Sequence, residues 1–534
     1  MVSVTPLESA SATPGSRGPR ALVVALAPAL VGVAVILNAA RGLMPGVGYW
    51  DTGEFQTVLP ILGTAHPTGY PTYVLLGFVA NILLAPFGEP AFRITLLSLV
   101  AVAAAAATTV ALVRHLTGST AIGVASGLGL ALTPVVWANA TRADPHPLHL
   151  ALVAVLLLTL VIWERRQRHA DPRADRWLVA AAVVFGLSMG NHSLTLLLAP
   201  PIALFVLATE PRIVLRPRLL ATCAIALIGS VAAVYLELPI RSGLFPAPLV
   251  YAQPNTWNGF WYIALAEQFR GSLSDPLGDL PAKLGVIGQF AWDQFGPLAV
   301  LIPFGFLAAI RTVPRYALLT GSAMVLTVLF NASYANADIA RYYLGPVLWA
   351  WTWLGILAGV VVERILELAP ALGDGTVPLT SGSRLRVSTT TVVAGVVALG
   401  LLAPPIAASP VSRARADRSS DTSADRWLAQ TIPALAPNAV IVSWWSTSTP
   451  LWYAQKIEGL RPDLFVVDDR TMLDLHLGGA TDVIARYLGT RPVYVIRANQ
   501  HDLGLVLDKF QLSPVLGDGS STVYEVIGRT VVPG

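Results

Sequence analysis

Charge is what this sequence lacks. Of its 534 residues only 12% are Asp, Glu, Lys or Arg, about half the share an ordinary soluble chain carries. Apolar residues have taken their place, at 54%, and a soluble enzyme of this length is excluded. Lysine is nearly missing as well: beyond Lys283, Lys456 and Lys509, every basic side chain is an arginine. The 35 basic and 31 acidic residues almost cancel, and neither sign clusters as nucleic-acid binding requires, so no nucleic-acid partner is expected. The one cysteine, Cys223, sits inside the apolar run 219–235, which rules out an intrachain disulfide and a thiolate metal centre.

Long apolar runs are what the sequence has. About 20 apolar residues cross a hydrocarbon core of about 30 Å as a helix. Ala21–Ala40 meets that length and is longer than a typical signal-peptide core, although Asn38-Ala39-Ala40 has the small residues of a cleavage site. Further runs follow at 92–113, 120–138, 147–163, 177–190, 193–209, 219–237, 296–310, 316–333, 342–362 and 387–408, of which 177–190 and 296–310 are short. The segment 70–87 is also apolar, but Pro71 punctuates it and His66-Pro67 precedes it. If it crosses, the arginine-rich loop 164–176 lands outside. If it lies in the outer interface, the basic loops at Arg114, 164–176, 210–218, 311–315 and 363–386 all fall inside, as the positive-inside rule asks. The second count gives eleven spans in a plasma-membrane protein with a cytoplasmic N-terminus and an extracytoplasmic C-terminus.

The expected organisation is a cytoplasmic tail 1–20, a polytopic domain 21–409 with a first outer loop 41–91 and a long outer loop 239–295, a charged linker 410–426, and a small soluble domain 427–534. In that last domain, apolar β-rich runs at 439–444, 464–467, 493–497 and 522–527 alternate with helical stretches at 451–458 and 481–488, which suggests α/β units. It has no phosphate-cradling glycine loop and no nucleophile elbow, so binding or positioning is its expected role.

The same count gathers polar residues on one side. Asp51, Glu54, His66, Arg142, Asp144, His146, His192, Arg241, Gln268, Arg270, Asp338 and Arg341 all fall at outer helix ends or in outer loops. Asp51 and Glu54 are three apart and share a face on a helical turn. Paired carboxylates beside Tyr49 and Trp50 suit a general base acting on an acceptor hydroxyl, while the same spacing suits an N-cap with a capping box. His146 and His149 are also three apart; without a cysteine or a His-Glu-x-x-His helix they are read as capping and hydrogen-bonding residues, and no metal is expected. The long outer loop carries Trp257, Phe260, Trp261, Tyr262, Phe269, Phe290 and Trp292, which reads as an interfacial helix near 256–270, able to serve as a lid.

Asp51-Thr52-Gly53-Glu54-Phe55, followed by Ala65-His66-Pro67-Thr68-Gly69-Tyr70-Pro71, resembles the first-loop signature of the multi-spanning GT-C glycosyltransferases, and more narrowly an uncharacterised-domain branch related to protein O-mannosyltransferases. Gly190-Asn191-His192, Leu238-Pro239-Ile240-Arg241, Gln268-Phe269-Arg270-Gly271, Asp338 with Tyr342-Tyr343-Leu344, and Pro450-Leu451-Trp452-Tyr453 extend the likeness along the chain. Thr52 and Thr68 depart from the commoner Ser and Pro, and Arg142-Ala143-Asp144-Pro145-His146 stands where relatives often carry Ser-Glu-Val-Tyr.

The resemblance implies an α-helical integral membrane protein of GT-C-like fold, with about eleven spans, outer juxtamembrane helices and a small C-terminal α/β soluble domain. It implies inverting transfer of a hexose, mannose by the family, from a polyprenyl-phosphate sugar to a hydroxyl of a protein or glycan acceptor. Asp51 would be the base, Glu54 would orient it or the acceptor, and His66 and His192 would help hold the donor. The lipid-phosphate sugar is a co-substrate, and no cofactor is implied. A departing phosphate needs cations; Arg241, Arg270 and Arg341 are the candidates, the first two preferred. Arg142, Asp144, His146, Gln268 and Asp338 are candidates for the acceptor side or cavity wall. A transporter or lipid flippase is the alternative; it would keep ionisable groups near the bilayer midplane.

Overall fold

The computed structural model describes residues 19–369, 376–378, 386–497, 500–517 and 521–530. The expected tail 1–20 lies almost wholly outside these, as does most of 370–386. Among the described residues, eight helices are long and apolar enough to cross a membrane: Val24–Gly42, Pro90–Thr117, His146–Arg168, Pro217–Leu244, Leu280–Thr312, Pro314–Ser333, Ile339–Leu368 and Thr389–Ala416. A ninth is broken, Thr120–Leu132 and Pro134–Ala140 meeting at 65°. The break is local chemistry: Pro134 forces Thr133 out of the helical region, to φ −64° and ψ 131°. The two remaining expected spans are shorter helical segments, Asp175–Asn191 at 17 residues and Ser193–Thr209. Pro71–Leu83 has 13 residues, about 20 Å of helix, which is too little to cross.

Helix boundaries follow their capping residues. Pro90–Thr117 stops at Gly118, whose φ of +74° suits glycine, and the next helix starts under a Ser119 side chain that accepts from Ile122 N–H. His146–Arg168 and Ile339–Leu368 form the centre of the bundle, 78% and 72% buried, whereas Pro217–Leu244 at 11% lies on its outside. Two expected boundaries move. The last span continues to Ala416, so the expected linker 410–426 is the end of that helix, a short turn and the start of the helix Ser423–Ala434. The long connection 239–295 is helical from Leu280 to Phe295, joined to the span helix Ile302–Thr312 through the 3-10 turn Gly296–Leu301; the interfacial helix near 256–270 forms as Trp257–Ala264 and a 3-10 turn Glu267–Ser272.

The two ends of the bundle differ. At one end the basic loops meet: Glu164 pairs with Arg168 and, at 3.4 Å, with Arg315, Arg216 pairs with Asp175, and Gln167 donates to Glu210 at 3.1 Å. At the other end lie the first connection 41–91, the loop after 140, the turn after Asn191 and the approach to Ile339. Seated on that end is the C-terminal domain, a five-stranded sheet. Its strands, numbered after the short pair β1 (Thr376–Pro378) and β2 (Arg386–Ser388), are β3 (Val440–Val442), β4 (Phe465–Val467), β5 (Val493–Val495), β6 (Phe510–Leu516) and β7 (Val523–Arg529), in the order β4-β3-β5-β7-β6. β3 runs parallel to β4 and β5, and β7 antiparallel to β5 and β6. The face of Ile441, Tyr494 and Val523 packs on Trp427, Leu428 and Leu451, and this cluster takes in Val47 and Ala91 from the first connection. The core of the small domain is therefore continuous with the membrane domain.

Candidate active site

The helix Trp50–Ile61 carries both carboxylates. Its N-cap is Tyr49, with no side-chain bond to the helix end, so Asp51 and Glu54 sit inside the first turns and are free for other partners; the capping-box reading is replaced. Gly53 between them permits a close approach: a Cβ there would lie 2.2 Å from Gly48 O and 2.9 Å from Thr449 Oγ1. Gln56 anchors the turn, accepting from Gly48 N–H at 2.8 Å and donating to Gly46 O and Ala91 O at 3.1 and 3.2 Å.

Glu54 is buried and committed to His66. One oxygen accepts the His66 backbone N–H at 2.7 Å and the other meets His66 Nδ1; Tyr70 OH lies 3.2 Å from His66 Nε2. Burial pushes the Glu54 carboxyl up. Burial opposes the charged imidazole of His66, but Glu54 and Asp51 outweigh it and raise His66 above its ordinary value. The pair thus keeps a proton between them.

Asp51 behaves differently. Its side chain is 27% exposed, against 2% for Glu54. Oδ2 accepts from Arg341 Nη2 at 3.1 Å and Oδ1 from Trp445 Nε1 at 3.1 Å. Burial alone would raise its carboxyl, but the charges of His66 and Arg341 and these two hydrogen bonds overcome that and hold it below the usual value. Asp51 is thereby held as a carboxylate.

Arg341 also donates from Nη1 to Asp144 at 3.2 Å. Asp144 is buried, accepts from the His146 backbone at 2.8 Å and faces His146 Nδ1 at 2.7 Å. Burial opposes its ionisation, yet His146, Arg341 and Arg142 hold it well below the usual carboxylate range. Arg142 pairs with Asp338 at 2.5 Å. His192 accepts the Leu194 N–H on Nδ1 at 3.1 Å, and its ring lies 4.7 Å from that of His146 and 5.5 Å from Tyr342.

These groups surround a cavity of about 1300 Å³ between the membrane domain and the C-terminal domain. Asp51, His66, Arg142, Asp144, His192, Gln268, Arg270, Asp338 and Arg341 line it. Glu54 and His146 stand behind that wall. Arg241 is the departure: its Nε and Nη2 donate to the carbonyls of Leu62 and Ile61, both at 3.1 Å. Those are the orphan acceptors at the end of the Trp50–Ile61 helix, so the guanidinium expected to hold a phosphate braces the first connection. Arg270 is exposed at the cavity edge, with Glu267 at 3.3 Å, and Gln268 accepts from Tyr251 OH at 2.5 Å.

Among the described residues, Asp51, Glu54 and His66 form the group with ligand-like spacing, their donor atoms within 4.8 Å of one another, rather than the His146 and His149 pair. Their oxygens already accept from Arg341, Trp445 and His66, so a cation entering there would displace these contacts. Sequence reasoning gave no site role to Trp444 and Trp445, and named Tyr342 only within a matching stretch; all three are on the cavity wall. A Trp-Trp pair directly after a predicted strand was the available signal.

Residues 51–214 match the family model described as Protein O-mannosyl-transferase TMEM260 N-terminal domain. The chain is 29% identical over 361 residues to Protein O-mannosyl-transferase TMEM260 of Mus musculus, across 65% of this chain and 49% of that protein; it spans about half the length of this curated relative. In fold it is similar to ArnT from Cupriavidus metallidurans bound to undecaprenyl phosphate, with a TM-score of 0.57 at 15% identity, covering 95% of this chain and 98% of that one. It is also similar to the archaeal oligosaccharyltransferase AglB from Archaeoglobus fulgidus in complex with an inhibitory peptide and a dolichol-phosphate, with a TM-score of 0.52 at 15% identity, covering 95% and 74%. The first-loop signature and the architecture thus agree: the chain has the polytopic GT-C fold, and part of it is similar in sequence to protein O-mannosyl-transferase TMEM260.

Proposed function

We propose that the protein is a membrane glycosyltransferase that moves a hexose, mannose by its relatives, from a polyprenyl-phosphate sugar to a hydroxyl on a protein or glycan. The observation that carries this is Asp51, an ionised carboxylate exposed to a large cavity and gripped on both oxygens. Asp51 takes the proton of the acceptor hydroxyl while that oxygen attacks the anomeric carbon. The bond from that carbon to the phosphate oxygen breaks on the opposite face, so configuration inverts and the lipid phosphate leaves with the electron pair. A positioned base contributes about 10²- to 10⁴-fold to such a step. Arg270, at the cavity edge with one weak ion pair, is the cation best free to follow the phosphate charge. Arg341 serves by keeping Asp51 ionised, and His66 by fixing Glu54 behind it.

We place the reaction at the extracytoplasmic face, since the basic loops gather at the opposite end of the bundle and such loops stay in the cytoplasm. A transporter is less well supported, because the ion-pair network lies at one end of the helices and joins the seated domain. The test is Asp51→Asn in membranes with a labelled polyprenyl-phosphate mannose. Transfer is expected to fall by about 10²- to 10⁴-fold with expression unchanged, and full activity would remove the assignment.

A further inference from the structure

The C-terminal domain reaches into the site. β3 ends at Val442, and the chain then passes through Trp444 into the helix Trp445–Lys456, at the carboxyl end of the parallel strands, the edge at which open α/β sheets place their working residues. The Trp445 indole N–H donates to Asp51 Oδ1 at 3.1 Å, and its ring meets His66 at 5.7 Å, Tyr251 at 6.2 Å and Trp452 at 5.6 Å. Three different parts of the chain thereby hold one indole in place.

The domain itself is fixed to the membrane part. Ala91 N–H donates to Tyr453 OH at 3.2 Å, Arg418 N–H to Gly42 O at 2.9 Å, and Ala252 N–H to Asp474 at 3.1 Å, while the Arg470 guanidinium lies 3.7 Å over the Tyr251 ring. Arg341 alone would leave the Asp51 carboxylate free to turn about its last bond. A second donor on the other oxygen fixes the plane.

We infer that the C-terminal domain is part of the active site, and that Trp445 is a positioning residue that orients Asp51 for proton abstraction. This rests on the reading of Asp51 as the base. The groups facing Asp51 are His66, Glu54 and Tyr70 from the first connection, Arg341 and Tyr342 from the turn before Leu344, and Trp445 from the C-terminal domain. Removing the indole N–H takes away a donor that favours the carboxylate, so the acid limb of the rate profile moves to higher pH.

The experiment compares Trp445→Phe with Trp452→Phe, which alters the same aromatic stack without touching Asp51. Both are made in the full chain, with melting followed in detergent. Trp445→Phe is expected to lower kcat by about tenfold to a hundredfold, the range for a hydrogen bond to a charged group, with donor KM unchanged and the acid limb moved to higher pH. Trp452→Phe is expected to keep the wild-type limb. Wild-type kcat and limb in Trp445→Phe, or an equal shift in Trp452→Phe, overturns the inference. If Trp445→Phe does not fold, Tyr453→Phe, which deletes the hydroxyl that receives the Ala91 N–H, tests the seat of the domain: kcat is expected to fall several-fold at constant KM, and an unchanged kcat overturns the inference. Asp51→Asn separates the two levels, since an inactive Asp51→Asn beside a normal Trp445→Phe defeats the positioning role alone, and an active Asp51→Asn defeats the base itself.

Discussion

Both ends of the helix bundle carry arginine-carboxylate pairs, and they use them differently. At the basic end the buried Glu164 takes Arg168 and Arg315, whose side chains are 50% and 33% exposed, and Arg216 and Asp175, 40% and 34% exposed, pair with each other. At the cavity end, Arg341 is 13% exposed and Asp144 3%, and the contacts run on from His146 through Asp144 and Arg341 to Asp51 and Trp445. An exposed pair gains little because water competes for both charges. A buried network is costly to desolvate and punishing to break; at the basic end one buried carboxylate faces exposed arginines, whereas at the cavity end imidazole, carboxylate and arginine are taken out of water together, which marks where ionised groups are needed.

That contrast is sharpest on removing one arginine from each end. Arg341→Gln leaves Asp51 and Asp144 without their shared cation; we expect a loss of about 3–5 kcal/mol, as for other broken buried pairs, and transfer activity below about a hundredth of wild type. Arg216→Gln should cost at most about 1 kcal/mol and leave transfer intact. Thermal melting in detergent and a transfer assay on both variants check this, and equal effects at the two ends would erase the distinction.

A smaller difference lies in pH dependence. His66 is raised above 6.5 by Glu54 and Asp51, against the pull of burial. A raised histidine contributes stability that is complete below its unfolded value and is lost as pH rises through its folded value. The melting temperature of the wild type is therefore expected to decline by a few degrees at most as pH rises above about 6.5, and to lose that part of the decline in His66→Asn. An identical slope in the variant would show that the Glu54 and His66 proton does not matter to the fold.

How much of this could be read beforehand depends on distance along the chain. Asp51, Glu54 and His66 lie within one short stretch, so a local pattern sufficed to bring them together. Hydropathy found eight of the eleven expected spans and the broken ninth for the same reason, since each helix satisfies its backbone within itself, while the two remaining runs form shorter helices. The partners of Asp51 were out of reach: Arg341 is 290 positions away and Trp445 is 394. Arg241 failed in the instructive direction. An arginine in the long connection looked like a phosphate ligand, but helix-end carbonyls 179 and 180 positions earlier claim it, and no local pattern announces that a distant helix stops there. β6 escaped because its alternation, Phe510-Gln511-Leu512-Ser513, runs for only four residues before Pro514 breaks it; it forms as an edge strand, where proline is tolerated, with irregular register against β7.

The smallest expected effect concerns metal, and it bears on the cavity end alone. Asp51, Glu54 and His66 are close enough to hold a cation. Yet Glu54 accepts from His66 through both oxygens, and Asp51 from Arg341 and Trp445. A divalent ion would have to expel the His66 proton and compete with Arg341 for the same carboxylate, losing charge-assisted bonds for every one it makes. The positive charge that a metal would bring to Asp51 is already supplied by Arg341. Transfer should therefore survive exhaustive chelation with EDTA and gain less than about twofold on adding magnesium, manganese or zinc, where a Lewis-acid role would add several kcal/mol of transition-state stabilisation. Loss of transfer on chelation, restored by one of these ions, would mean that the hydrogen-bonded pairing of Glu54 with His66 is the resting arrangement and not the working one.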